Sequence, residues 1–188
     1  MKKILSMAAL MLLLASCSGA DPSQSFVDIR AAYLAADVTL TAELTADYGD
    51  RSYDYTLSYT GDGKRGEVTI LSPELVSGIS ARIDEDKTVT LECDEVIIDT
   101  GMLYGSGTSP VEALPLIVNA VREGYVSDIY TETIDGTEYI VVEADETPAG
   151  EAVKTYYTLW FSAVENSLYK AEISVDGYTV ISAMFEET

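Results

Sequence analysis

Long stretches of this chain alternate apolar and polar residues with period two. Val38, Leu40, Ala42 and Leu44 interleave with Thr39, Thr41, Glu43 and Thr45. In an extended chain successive side chains point to opposite faces, so the pattern makes a strand with one buried and one wet face. After Gly49-Asp50, Tyr53, Tyr55, Leu57 and Tyr59 alternate with Ser52, Asp54, Thr56 and Ser58, and Gly61-Asp62-Gly63 marks a hairpin turn. Val68 and Ile70 continue the pattern until Pro73, which lacks a backbone donor and ends the ladder. Ile79, Ala81 and Ile83 follow, then the turn Asp84-Glu85-Asp86, then Val89, Leu91 and Cys93, and a short strand over Val96–Ile98. Further strands are predicted at Tyr125–Glu132, Tyr139–Ala144, Thr155–Phe161, Leu168–Val175 and Tyr178–Phe185. Asp135-Gly136 and Asp176-Gly177 fit tight two-residue turns between them. About eleven strands joined mostly in sequence predict one large antiparallel meander. Cys93 shares the parity of Val89 and Leu91 and reads as a small buried hydrophobe. Around Trp160 both faces of Tyr156–Phe161 are apolar, which predicts a central strand covered on each side.

Two segments leave this pattern. Over 25–36, Phe26, Ile29, Tyr33 and Ala36 recur at helical spacing, with Ser25 and Asp28 as a capping pair. The second begins Ser109-Pro110-Val111-Glu112, with Ser as cap, Pro at the first helical position and Glu able to reach back. Val111, Leu114, Ile117, Val118 and Val121 form its apolar stripe and Gly124 its stop. Pro115 removes a bond to the carbonyl of Val111, which predicts a kink or a later start. Both helices are short and amphipathic, and the sheet is the one large surface on which they can bury their stripes.

The N-terminus carries a different message. Lys2 and Lys3 precede the apolar run Ile4–Leu14, which gives way to the small residues Ala15 and Ser16. That order is a secretory signal, and the run falls short of the roughly 20 apolar residues that span a bilayer. Leu14-Ala15-Ser16-Cys17 resembles a lipobox, the recognition sequence of bacterial lipoproteins. The resemblance implies cleavage before Cys17, a thioether-linked diacylglycerol and an acylated amine. Each buried methylene contributes about 0.8 kcal/mol, so two or more chains, palmitate-like in length, anchor the protein firmly. The expected organisation is a signal peptide over 1–16, lipidated Cys17 with a short tether to 25, and one domain over 26–188. The eight tether residues Ser18–Ser25 span only about 16 Å, which holds the domain near the lipid surface. The mature chain then lies on the extracytoplasmic face of the cell membrane, or on an outer membrane in a host that has one, since Ser18 rather than Asp follows Cys17.

Charge and missing residue types narrow the function. Removal of Lys2 and Lys3 leaves 9 of 11 basic residues against 32 acidic ones, a net charge of −23. A field of that sign repels nucleic acid and anionic headgroups and keeps the protein soluble. With Cys17 lipidated, Cys93 has no disulfide partner and the core must hold unaided. The chain contains no His, which removes His-based triads, His-ligated zinc and the commonest general base. Gly105-Ser106-Gly107-Thr108-Ser109 lacks the Lys of a phosphate-binding loop and reads as a plain loop. Glu92 and Asp94-Glu95 are acid–base candidates by abundance alone, and Asp84-Glu85-Asp86 lacks the ligand spacing of a calcium loop. No catalytic residue, metal site or cofactor is expected. The 13 Tyr against 3 Phe suit exposed strands and half-wet surfaces.

One helix, about six strands, a mid-chain helix and four or five further strands behind a lipobox resemble the LolA/LolB-like half-barrel superfamily. That superfamily includes lipoprotein carriers, LppX-type lipoproteins, the stress sensor RseB and GerS-like germination lipoproteins. The likeness is carried by Thr69-Ile70-Leu71-Ser72-Pro73 with the Ile79 strand, by Gly107-Thr108-Ser109-Pro110-Val111-Glu112-Ala113-Leu114-Pro115, and by Tyr169-Lys170-Ala171-Glu172-Ile173 through Phe185. It implies an α+β fold, a large curved antiparallel half-barrel with two or three short helices on its concave face. It also implies an apolar cavity between sheet and helices. The inward parity selects Leu40, Leu44, Tyr55, Leu57, Val68, Ile70, Ile83 and Leu91 for its wall, with Val118 and Val121 facing them from the helix. Two functions fit. One is a membrane-anchored module holding a lipid or lipid-linked ligand in that cavity. The alternative is a non-enzymatic adaptor that docks another envelope protein. A continuous cavity favours the first; a filled core with an exposed apolar strand edge favours the second.

Overall fold

The computed structural model describes residues 21–86, 88–93, 96–102, 108–147, 150 and 152–186. The signal peptide, Cys17, the first tether residues, Asp94-Glu95 and the Gly105–Gly107 loop lie outside them. In chain order the elements are α1 (Pro22–Ala35), β1 (Val38–Asp47), β2 (Ser52–Gly61), β3 (Gly66–Ser72), β4 (Ser80–Ile83), β5 (Thr88–Cys93) and β6 (Val96–Met102). Then come α2 (Pro110–Glu123), β7 (Tyr125–Ile134), β8 (Thr137–Asp145), β9 (Thr155–Ser162), β10 (Leu168–Val175) and β11 (Tyr178–Phe185). The strands form one open antiparallel sheet in the order β6-β5-β4-β3-β2-β1-β11-β10-β9-β8-β7. This is the expected meander, cut once by α2 and joined at its centre where β1 pairs with β11, Ala42 opposite Phe185 and Ala46 opposite Ile181. The architecture is an α+β curved half-barrel.

The turns follow their residues. Asp135-Gly136 and Asp176-Gly177 carry positive φ at both positions, as two-residue hairpin turns matched to strand twist require. β3 stops at Ser72, immediately before Pro73. One face of the sheet is consistently buried: Ala42, Leu44 and Ala46 on β1, Leu57 and Tyr59 on β2, Leu159 and Phe161 on β9. Against this face lie both helices, α2 on β2 and β3, α1 on β7 and β8, and the helices on each other.

Several expectations need correction. α1 begins at Pro22, with Asp21 as its cap accepting from the Ser23 amide at 3.0 Å, so Ser25 is inside the helix and the expected tether overlaps its first turn. Asp21-Pro22 is itself a cap-and-first-position pair, stronger than Ser25/Asp28. Ala36 is exposed with extended backbone beyond the helix end, off the buried stripe. α2 runs unbroken from Pro110 through Pro115 to Glu123, and Ser109 makes no side-chain cap bond. Cys93 is exposed, not buried. Val89 on the same face is covered, but burial falls away along β5 through half-buried Leu91 to Cys93. Trp160 is buried as expected, though β9 is third from the β7 edge rather than central. Its cover on the outer face is a patch of side chains, Tyr139, Val141, Ile134 and Tyr169. There the indole Nε1 donates to Glu132 Oε2 at 2.7 Å, and Lys170 Nζ sits 4.6 Å above the ring.

Candidate functional site

All ten residues expected to line a cavity belong to one hydrophobic cluster. Leu44, Leu57, Val68, Ile70, Ile83, Val118 and Val121 are buried in it, and Leu40, Tyr55 and Leu91 pack against it half-buried. Strand pairing explains the convergence. Leu44 lies opposite Tyr55, Leu40 opposite Tyr59, and Leu57 opposite Ile70, so each ladder stacks inward residues on inward residues. α2 lays Leu114, Ile117, Val118 and Val121 onto this wall. α1 adds Phe26 and Ile29, with the Phe26 ring 5.9 Å from that of Phe161 and Tyr33 meeting Phe161 edge-on at 6.4 Å. Burial pushes the Tyr33 hydroxyl up to about 12.

The helices are tied to each other by two arginines that composition and periodicity did not single out. Arg30 on α1 donates from Nε to the Val121 carbonyl at 2.8 Å and from Nη2 to the Gly124 carbonyl at 3.0 Å. Arg122 on α2 donates to the carbonyls of Tyr33 and, at 3.1 Å, Ala36. Each guanidinium therefore satisfies carbonyls that the end of the other helix leaves without an intrahelical partner. Each also places positive charge at a negative helix end. Arg30 further lies 4.8 Å over the Phe26 ring. Arg122 in the last turn of α2 is a recognisable C-terminal signal; Arg30, beside Ile29 in α1, is not.

The cover is also seated on the sheet. Gly63 in the β2–β3 turn has φ +84°, and a Cβ there would stand 2.7 Å from the Asn119 nitrogen of α2, so no side chain fits. The Gly63 amide donates to the Tyr59 hydroxyl at 2.7 Å, and Lys64 Nζ donates to Glu123 Oε1 at 2.7 Å. At the same end of α2, beside Gly124, Glu146 has a buried Oε1 without a hydrogen-bond partner among the described residues. Burial raises its pKa, opposed by a bond from the Tyr125 amide and by the charge of Arg30. Burial likewise lowers the pKa of Arg30, so for neither group does mutual attraction cover the loss of water. Tyr157 is raised by burial and then by Glu146 and Glu112, which marks a small polar cluster at the inner wall.

Two hollows open elsewhere on the surface. A shallow hollow of about 520 Å³ on the outer face is lined by Ser58, Thr60, Thr69, Arg65 and Arg82. Another of about 510 Å³ lies at the rim between Tyr48 and Tyr178. Glu92 is exposed on β5, and no group of three or more His, Cys, Asp or Glu among the described residues could hold a metal ion. No helix among the described residues is long and apolar enough to cross a membrane.

These features define an open half-barrel with a two-helix cover. Among solved structures, the chain is similar to a LolA-superfamily protein from Nitrosomonas europaea, at 12% identity over 89% of this chain and 93% of that one, TM-score 0.44. It is similar to the Mycobacterium tuberculosis lipoprotein LppX, at 15% identity over 89% and 95%, TM-score 0.42. A DUF1329-family protein from Desulfovibrio piger is similar at 10% identity over 89% and 92%, TM-score 0.42. No family model matches the chain, and no curated protein matches it.

Proposed function

We propose that this chain is a non-enzymatic, membrane-anchored lipoprotein on the extracytoplasmic side, and that it holds a lipid or lipid-linked molecule between its sheet and its two helices. One observation carries the reading. Among the described residues the inward apolar face of the sheet is roofed by two helices, α2 over β2 and β3 and α1 over β7 and β8, and not by a second sheet, and their mutual ties are arginine-to-carbonyl bonds at their ends. Such bonds exchange readily for water, so the cover can lift without breaking any strand ladder. Val118 and Val121 pack directly on the wall, so a ligand would enter only as α2 lifts, replacing their contacts by contacts of the same chemistry with little loss of hydrophobic stabilisation. Acylated Cys17 would keep the domain at the membrane, where such ligands are found. The test is native mass spectrometry of the mature chain purified without detergent. A bound mass of lipid size, released on denaturation, supports the reading. Protein that stays free of ligand, even after incubation with phospholipid vesicles, contradicts it.

A further inference from the structure

Among the described residues the sheet ends on one side at β6, whose outer backbone edge faces no further strand. On it Val96, Ile97 and Ile98 are 57, 67 and 54% exposed, three consecutive large aliphatic side chains in water. Alternation places Val96 and Ile98 on one face and Ile97 on the other, so both faces are apolar. That is the composition of a strand with neighbours on both sides, not of an edge. The opposite edge, β7, is protected in the usual ways, with Asp128 and Glu132 along it and a bulge between Val126 and Asp128. Across Val96–Ile98 there is no charge, proline or bulge.

Two features select the occupant. The amide and carbonyl groups on that side of Val96–Ile98 meet no strand among the described residues, and another extended backbone is what can meet them in register. A bilayer cannot satisfy them, which argues against burial of this edge in lipid. Acidic residues frame the apolar run: Glu92 lies directly opposite Ile97 on β5, and Asp99 follows Ile98. In a chain of net charge −21 a second copy would bring like-charged edges together, whereas a basic segment would be attracted.

We propose that β6 is a docking edge that receives, as an added strand, an extended segment of another protein with alternating apolar side chains and flanking Lys or Arg. The inference goes beyond the ligand reading and does not depend on it. The test uses the mature chain and a pool of fluorescent peptides about ten residues long, roughly one strand plus flanks, with alternating Val, Ile or Leu and lysines at both ends. Binding is read by anisotropy against Ile97→Lys and Ile98→Thr, both at exposed positions, with urea midpoints confirming that the variants fold. The expected result is binding that Ile97→Lys weakens about tenfold or more, that falls as salt rises, and that is lost when the peptide amides facing β6 are N-methylated. The Ile98→Thr variant, uncharged and favourable to strands, should weaken binding less. No binding by any member of the pool overturns the proposal. So does binding indifferent to Ile97→Lys or to N-methylation. A wild-type dimer that Ile97→Lys converts to monomer also overturns it, by assigning the edge to a second copy.

Discussion

Replacing Arg30 by Met keeps most of the stem and deletes the guanidinium, so it isolates the tie from α1 to the end of α2. Two hydrogen bonds are lost, to the Val121 and Gly124 carbonyls at 2.8 and 3.0 Å, together with the contact 4.8 Å above Phe26. A bond from a charged donor contributes about 1.5–3 kcal/mol when its acceptor is left buried, but these carbonyls are only part-buried and water can reach them. About 1 kcal/mol each is the fair figure, with about 0.5 kcal/mol for the ring contact and about 0.5 kcal/mol for the charge at the helix end. Burial of the guanidinium works against the sum, as the lowered pKa of Arg30 indicates. A net loss of about 2 kcal/mol is expected. With a urea m-value of about 2 kcal/mol/M, the midpoint should fall by about 1 M. Hydrogen exchange at the Gly124 amide, bonded to the Ala120 carbonyl at 2.9 Å, should accelerate in parallel. Arg51→Met, in an exposed turn, is the control and should move nothing. A midpoint shift below about 0.2 M for Arg30→Met would refute the view that this arginine holds the cover.

Other expectations follow from the same geometry. Glu146→Gln tests the buried carboxyl: a pKa raised by burial contributes stability at low pH that is lost as pH rises through the folded pKa. The variant should match wild type near pH 4 and exceed it increasingly towards pH 7, read from urea midpoints. Gly124→Ala places a Cβ 2.4 Å from the Ala120 carbonyl oxygen and 2.6 Å from Glu146 Oε1, and should cost about 1–3 kcal/mol by overpacking alone. Gly136→Ala meets open space but sits at φ +85°, so its cost should stay near 1 kcal/mol and come from backbone conformation. Leu57→Ala, fully buried against the cover, should lose about 2–5 kcal/mol in the same assay.

Much of the fold was legible because a half-wet sheet writes itself in period two. The parity that pairs Leu44 with Tyr55 and Leu57 with Ile70 can be read without coordinates, as can the Asp-Gly turns at 135 and 176. The eight strand residues of the candidate wall follow from the same parity, and they meet Val118 and Val121 of α2 in one cluster. What escaped depends on where cover begins and ends. Cys93 has an inward parity but is exposed at the end of β5, and no local pattern records where along a strand burial stops. Arg30 and Arg122 act on carbonyls about 90 residues away in sequence, a relation invisible to any window along the chain. Glu112 and Glu146 look like two of 32 acidic residues until burial distinguishes them. The exposed apolar run on β6 is legible as a strand, but its place at the sheet edge comes from topology.

The location of the ligand is the central claim, and photo-cross-linking reports it directly. The mature chain is incubated with vesicles containing a phospholipid whose acyl tail carries a diazirine, irradiated, digested and mapped. The account predicts adducts on the inner wall and the cover, at residues such as Leu57, Val68, Ile70, Val118 and Val121, and more of them in Arg30→Met than in wild type. Adducts confined to the outer face or to β6, or none at all, would contradict it.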